Sequence, residues 1–118
     1  MKSRILVCVG RNYWDRSAFL LAMTHAREWF TPHFCIIEGG AEGADYLAKE
    51  WAEKNCMPVL EILAPWGIMG KRAGMTRNLW MIEFAKPDIV IAFPGHTGTA
   101  DMKAQAIAHK ITLWEPYA

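Results

Sequence analysis

Short apolar runs rich in β-branched residues alternate with amphipathic segments along the whole chain, and this alternation restricts the fold more than any other feature. "RILVCVG" (Arg4–Gly10) is short, apolar and closed by glycine, which is the pattern of a buried strand. Asp15 then stands where it can cap a helix running to about Phe30, with Phe19, Ala22, Met23, Ala26 and Phe30 on one face. Pro32 marks the break, "HFCIIEGG" supplies a second strand, and "AEGADYLAKEWAEKN" a second helix with Ala44, Leu47, Ala48, Trp51 and Ala52 at helical spacing. "MPVLEILA" reads as a third strand, followed by a loop, "PWGIMGKRAG", and a helix from about Met75 to Ala85 that ends before Pro87. "DIVIAF" is a fourth strand, "PGHTGT" a turn, "ADMKAQAIAHK" a fourth helix and "ITLWE" a last strand.

The order is therefore βαβαβαβαβ. Helical crossovers between short, continuously apolar strands imply an α/β fold with a parallel sheet covered on both faces. Right-handed crossovers favour a single Rossmann-like, doubly wound domain: a five-stranded parallel sheet with helices on both sides. The 118 residues suffice for one such domain and are too few for two, and an apolar share of 53% supplies its core. No linker, repeat or low-complexity segment divides residues 1–118.

The charge balance narrows the partners. A net charge of +1 creates no global field that would recruit nucleic acid or an anionic membrane. No apolar run approaches the roughly 20 residues that cross a bilayer, and the N-terminal apolar run is too short for a signal sequence. Cys8, Cys35 and Cys56 form no CxxC pair, and His25, His33 and His109 have no metal-ligand spacing. The expectation is a soluble, cytoplasmic protein with reduced thiols, without metal or cofactor, whose partner is a small molecule rather than nucleic acid or membrane.

In a doubly wound sheet the ligand lies outside the carboxyl ends of the strands, near the point where strand order reverses. The residues just past each strand are therefore informative. Gly10 and Arg11 come after the first, Gly39, Gly40, Glu42 and Gly43 after the second, and Trp66, Lys71 and Arg72 after the third, with Arg77 and Asn78 close behind. Pro94, Gly95, His96, Thr97, Gly98 and Thr99 come after the fourth. The last group opens a helix, so its backbone N–H groups and the positive end of the helix dipole favour an anion. Gly95 and Gly98 allow close backbone approach and Thr97 and Thr99 add hydroxyl donors; the alternative is a plain strand-to-helix turn with Thr99 as N-cap. In "GGAEGAD", Gly39 and Gly40 allow close approach, while Glu42 and Asp45 either hold ribose hydroxyls or complement the helix dipole. Arg77, expected in the first turn of its helix, is a cation placed against the dipole, which points to an anionic ligand or to an ion pair with Glu42 or Asp45. Trp14 and Trp66 fall at the same edge and either stack on a base or pack at the rim. His96 either contacts phosphate, moves a proton or merely tolerates a tight turn.

The segments "VCVGRNYWD", "IIEGGAEGADYLAKEWA", "GMTRNLWMI" and "PDIVIAFPGHTGTADM" resemble the YspA-like branch of the SLOG superfamily, over about Ile5 to Trp114. These are small Rossmann-like domains related to the LOG phosphoribohydrolases and to DNA-processing protein A. The resemblance implies a nucleotide or nucleotide-derived ligand, such as ADP-ribose or an NAD-like molecule. LOG enzymes cleave the N-glycosidic bond of a nucleoside monophosphate with a PGGxGTxxE motif and an arginine from an MxxR helix. Pro94, Gly95, Gly98 and Thr99 match the glycine loop, but His96 replaces its middle glycine and Met102 stands at the glutamate, with Asp101 one position earlier. "MTRN" is the nearest counterpart of MxxR, and Met75 and Arg77 match it only after a shift.

Two functions are compatible with these residues. In one the domain captures a nucleotide-derived ligand as a sensor or sequestering module. In the other it hydrolyses an N-glycosidic or phosphate linkage, with Asp45 or Asp101 as the acid/base, since such cleavage needs a carboxylate near the anomeric carbon. A homo-oligomer is expected because so small a sheet encloses little of a ligand, with Trp29 and Trp80 as candidate interface residues.

Overall fold

A computed structural model of the protein describes residues 3–8, 13, 15–30, 33–39, 44–64, 67, 70–95 and 97–117, with the backbone alone for 44–46, 71, 97 and 98. Strands β1 (Ser3–Cys8), β2 (Phe34–Glu38), β3 (Val59–Glu61), β4 (Ile89–Ala92) and β5 (Thr112–Trp114) form one sheet. All neighbours are parallel, in the order β3-β2-β1-β4-β5. Helices α1 (Arg16–Trp29) and α2 (Ala44–Lys54) follow β1 and β2; α3 (Ala73–Glu83), entered through a 3-10 turn (Gly70–Arg72), and α4 (Thr97–Ala108) follow β3 and β4. The strand order reverses between β1 and β4, so this is a doubly wound, Rossmann-like sheet whose crevice opens there.

Alternation along the strands builds two cores. Ile5, Val7, Ile36, Ile89 and Ile91 face α1 and α2, where Phe19, Met23, Leu47 and Trp51 cover them. Leu6, Ile37 and Val90 face the opposite way, against Met81 and Ile82 of α3 and Met102 and Ala106 of α4. The central strands are buried on both faces, which is why β1, β2 and β4 read as continuous apolar runs. The short β3 and β5, at the sheet edges, are partly exposed.

Asp15 caps α1 as its position suggests, its carboxylate accepting from the Ala18 N–H at 3.1 Å. Phe30 departs from the expected buried face: it lies just past the helix, 44% exposed, edge-on to Trp114 at 5.9 Å. Two helix boundaries also differ from expectation. Helix α3 begins at Ala73 rather than near Met75, taking in the end of the segment read as loop. Helix α4 begins at Thr97, inside the segment read as a turn. Propensity alone misplaces these starts because a glycine in a first turn looks like a breaker when tertiary packing is not in view.

Candidate functional site

Backbone pairing carries the central strands up to the rim. The Phe93 N–H donates to the Cys8 carbonyl at 2.9 Å, and the Ile62 N–H donates to the Glu38 carbonyl at 2.9 Å. Pro94 and Gly95 therefore stand exposed immediately above the β1/β4 switch point, and α4 starts two residues later. The first N–H groups of a helix have no intrahelical acceptor, so this end is electropositive. Thr99 is the third residue of α4 rather than its N-cap, and it is only 4% exposed. Its hydroxyl has no hydrogen-bond partner among the described residues, an unusual state for a buried polar atom.

Arg77 lies in the second turn of α3, since the helix begins four residues before it. The dipole argument drawn from a first-turn position therefore falls. Contact geometry still brings Arg77 to the same edge: Nη1 donates to the Gly39 carbonyl, at the end of β2, at 2.8 Å. A β-carbon built on Gly39 would lie 2.6 Å from Arg77 Cζ, so a larger residue there would displace the guanidinium from this crossing. Arg77 Nε donates to Asn78 Oδ1 at 3.1 Å, and Asn78 Nδ2 donates to Asp101 Oδ2 at 3.0 Å. The same carboxylate oxygen accepts from Gln105 Nε2 at 2.8 Å. A polar network thus runs from α4 through α3 to the end of β2.

Of the residues singled out from the sequence, the network joins Gly39, Arg77, Asn78 and Asp101, while Pro94 and Gly95 occupy the β4–α4 turn and Thr99 the first turn of α4. Asp45 is the second residue of α2 and Thr97 and Gly98 open α4, each described by its backbone alone. Gly10, Arg11, Gly40 and His96, with Glu42, Trp14 and Trp66, lie outside the described residues. Met102, where the LOG glutamate would fall, is fully buried in the core beneath α4. One residue of helix is about 100° of rotation. Asp101 therefore points into the α3–α4 polar network while Met102 points into the sheet.

Two groups, Gln105 and Glu38, escaped the sequence reading. Gln105 joins the network four residues after Asp101, a helical spacing that was legible but whose partner on α3 was not. It also borders an apolar groove of about 620 Å³ between α3 and α4, lined by Met75, Leu79, Ala104 and Ala108. Tyr13 packs on Phe93 with ring centroids 5.4 Å apart; burial first, then Asp15 and Tyr117, raises its hydroxyl above the ordinary value. At physiological pH it stays a neutral O–H at the rim. Glu38, 1% exposed at the end of β2, is in register with Glu61 of β3. A hydrogen bond from Glu38 lowers the Glu61 carboxyl below its ordinary value; burial opposes this, and Lys49, at 3.7 Å, adds to it. A bond between two carboxyl groups requires one shared proton. Among the described residues no cluster of three or more metal-ligating side chains occurs, and no helix is long and apolar enough to cross a membrane.

Comparison with known proteins matches this architecture. The solved X-ray structure of TM1055 superposes with a TM-score of 0.72, covering 96% of this chain and 72% of that one at 18% identity, a likeness of fold. The gene 61 protein of Mycobacterium phage D29 is 33% identical over 97 residues, which span 77% of this chain and 76% of the phage protein. The model of the family described as "YAcAr: YspA, cpYpsA-related SLOG family" matches residues 3–67. With more than half of the chain matched by that model and a relative of this similarity, the protein belongs to the YspA, cpYpsA-related SLOG family.

Proposed function

We propose that the protein binds a nucleotide-derived ligand of the ADP-ribose or NAD type across the carboxyl edge of its sheet, as a sensor or sequestering module. Membership of the SLOG family supports a nucleotide-related function in general, whether binding or hydrolysis. The observation that carries the binding reading is the start of α4: an electropositive helix end above the switch point, with the buried Thr99 hydroxyl lacking a partner among the described residues. A phosphate oxygen there would satisfy the hydroxyl and the first-turn N–H groups together. Arg77, held at the end of β2, supplies a cation at the same edge. The carboxylate expected of LOG-type cleavage is replaced by a core methionine, which favours capture over turnover.

The reading is tested by following melting temperature with ADP-ribose, NAD and nucleoside monophosphates while assaying release of free base and ribose phosphate. The expected result is stabilisation by at least one of them, with the ligand recovered intact. Absence of any stabilisation sinks the binding reading, and catalytic release of base replaces capture with hydrolysis.

A further inference from the structure

The Arg77–Asn78–Asp101 chain has a directional logic. An asparagine amide has two orientations, one end donating and the other accepting. Asp101 Oδ2 accepts from Asn78 Nδ2 at 3.0 Å, and Arg77 Nε, which can only donate, delivers its hydrogen to Asn78 Oδ1 at 3.1 Å. The carboxylate accepts only, so it selects the amide orientation in which the oxygen faces Arg77. The opposite orientation would set the Asn78 NH2 against the guanidinium and its oxygen against the Asp101 carboxylate. Asn78 is 3% exposed, so water does not substitute for either partner. Gln105 Nε2, 2.8 Å from the same oxygen, holds that oxygen in place.

Building on the binding reading above, we infer that Asp101 is a positioning residue rather than an acid or base. Through the Asn78 amide it aims Arg77 across the sheet edge at Gly39, and so sets where a ligand's anionic group meets the guanidinium. The bonds from Asn78 and Gln105 end on a single oxygen of Asp101. Asparagine at this position keeps one acceptor oxygen for the Asn78 amide, whose orientation the donor-only Arg77 Nε still fixes, and removes the charge and the ability to ionise, so the two roles separate. A positioning carboxylate is replaceable by asparagine; an acid or base is not.

The test compares Asp101→Asn with Asp101→Ala, and with Asp101→Leu should the alanine variant fail to fold. A ligand-independent readout is the Arg77 Nε–H resonance in a ¹H–¹⁵N spectrum, assigned by its loss in Arg77→Ala. A hydrogen-bonded, slowly exchanging Nε–H is expected in the wild type and in Asp101→Asn, and its loss or broadening in Asp101→Ala or Asp101→Leu. Persistence of that signal in the alanine or leucine variant overturns the inference, as does its loss in the asparagine variant. The second readout is ADP-ribose affinity: about tenfold weaker or more for Asp101→Ala and for Arg77→Ala, and within about twofold of wild type for Asp101→Asn. Equal loss of affinity in Asp101→Asn and Asp101→Ala also overturns it. If wild type binds no nucleotide, the binding reading fails while the resonance still decides whether Asp101 positions Arg77.

Discussion

Arg77 of α3 reaches the carbonyl of Gly39 at the end of β2, 2.8 Å from donor to acceptor, at a point where a β-carbon would displace the guanidinium. The contact spans 38 positions of sequence and crosses the carboxyl edge of the sheet. It places a cation at the carboxyl edge of the sheet, on the strand next to β1, which borders the β1/β4 switch point.

Gly39→Ala is expected to push the guanidinium off its acceptor. A β-carbon would meet Arg77 Cζ at 2.6 Å, but the guanidinium ends a flexible side chain and can move aside, so the cost should be about 1 kcal/mol or less, that of the lost hydrogen bond. Denaturant unfolding should show that loss, and nucleotide-induced stabilisation should shrink with it. A variant that keeps wild-type stability and ligand response would show that Arg77 has a second, equivalent resting place.

Thr99→Val should have opposite effects on stability and binding. The buried hydroxyl gains nothing from a protein partner among the described residues, so an apolar isostere should be neutral or raise stability by up to about 1 kcal/mol. Ligand-induced stabilisation by ADP-ribose should fall at the same time. Thermal melts with and without ligand measure both; a marked loss of apo stability would mean the hydroxyl already serves the fold.

Glu61 should contribute to acid sensitivity. Its folded-state value is depressed, first by the hydrogen bond from Glu38, so its contribution is present above its ordinary value of 4.5 and is lost as pH falls through the lower folded value. Glu61→Gln removes the titration while keeping an acceptor for Glu38. Its stability should fall less steeply than wild type on acidification below 4.5. Parallel pH–stability curves for the two proteins would refute the coupling.

Lys110 carries a φ of 58°, and Cys56 one of 56°, each just past a helix. The Ile111 N–H closes on the Ala106 carbonyl at 2.9 Å and the Met57 N–H on the Ala52 carbonyl at 2.8 Å, which is the left-handed capping pattern that glycine suits. Lys110→Gly should therefore stabilise by about 0.5–1 kcal/mol, or about 2–6 °C in Tm. Both caps precede β3 and β5, at the amino edge of the sheet, so ligand response should stay unchanged. A lower Tm would show that backbone entropy outweighs the relieved strain.

The sequence by itself determined the architecture, because strand and helix periodicities are local. The apolar runs of β1, β2 and β4, and the face of Phe19, Ala22, Met23 and Ala26, are readable within a few residues and bury as their spacing requires, whereas β3, β5 and Phe30 stay partly exposed. It also singled out the carboxyl edge of the sheet, since glycine-rich turns follow the strands in order. What it left open depends on contacts between distant segments. The start of α3 at Ala73 removed the dipole argument for Arg77, and packing across the sheet edge put the crossing to Gly39 in its place. Asp101 reads from sequence as a candidate acid or base, and only the packing of α3 on α4 brings its oxygen to Asn78, 23 residues away. The pairing of Glu38 with Glu61 follows from strand register alone, and no local pattern encodes the register between two strands joined by a helix. Tertiary structure decided these relations because a hydrogen bond needs its two atoms within about 3 Å, a condition that chain order does not set.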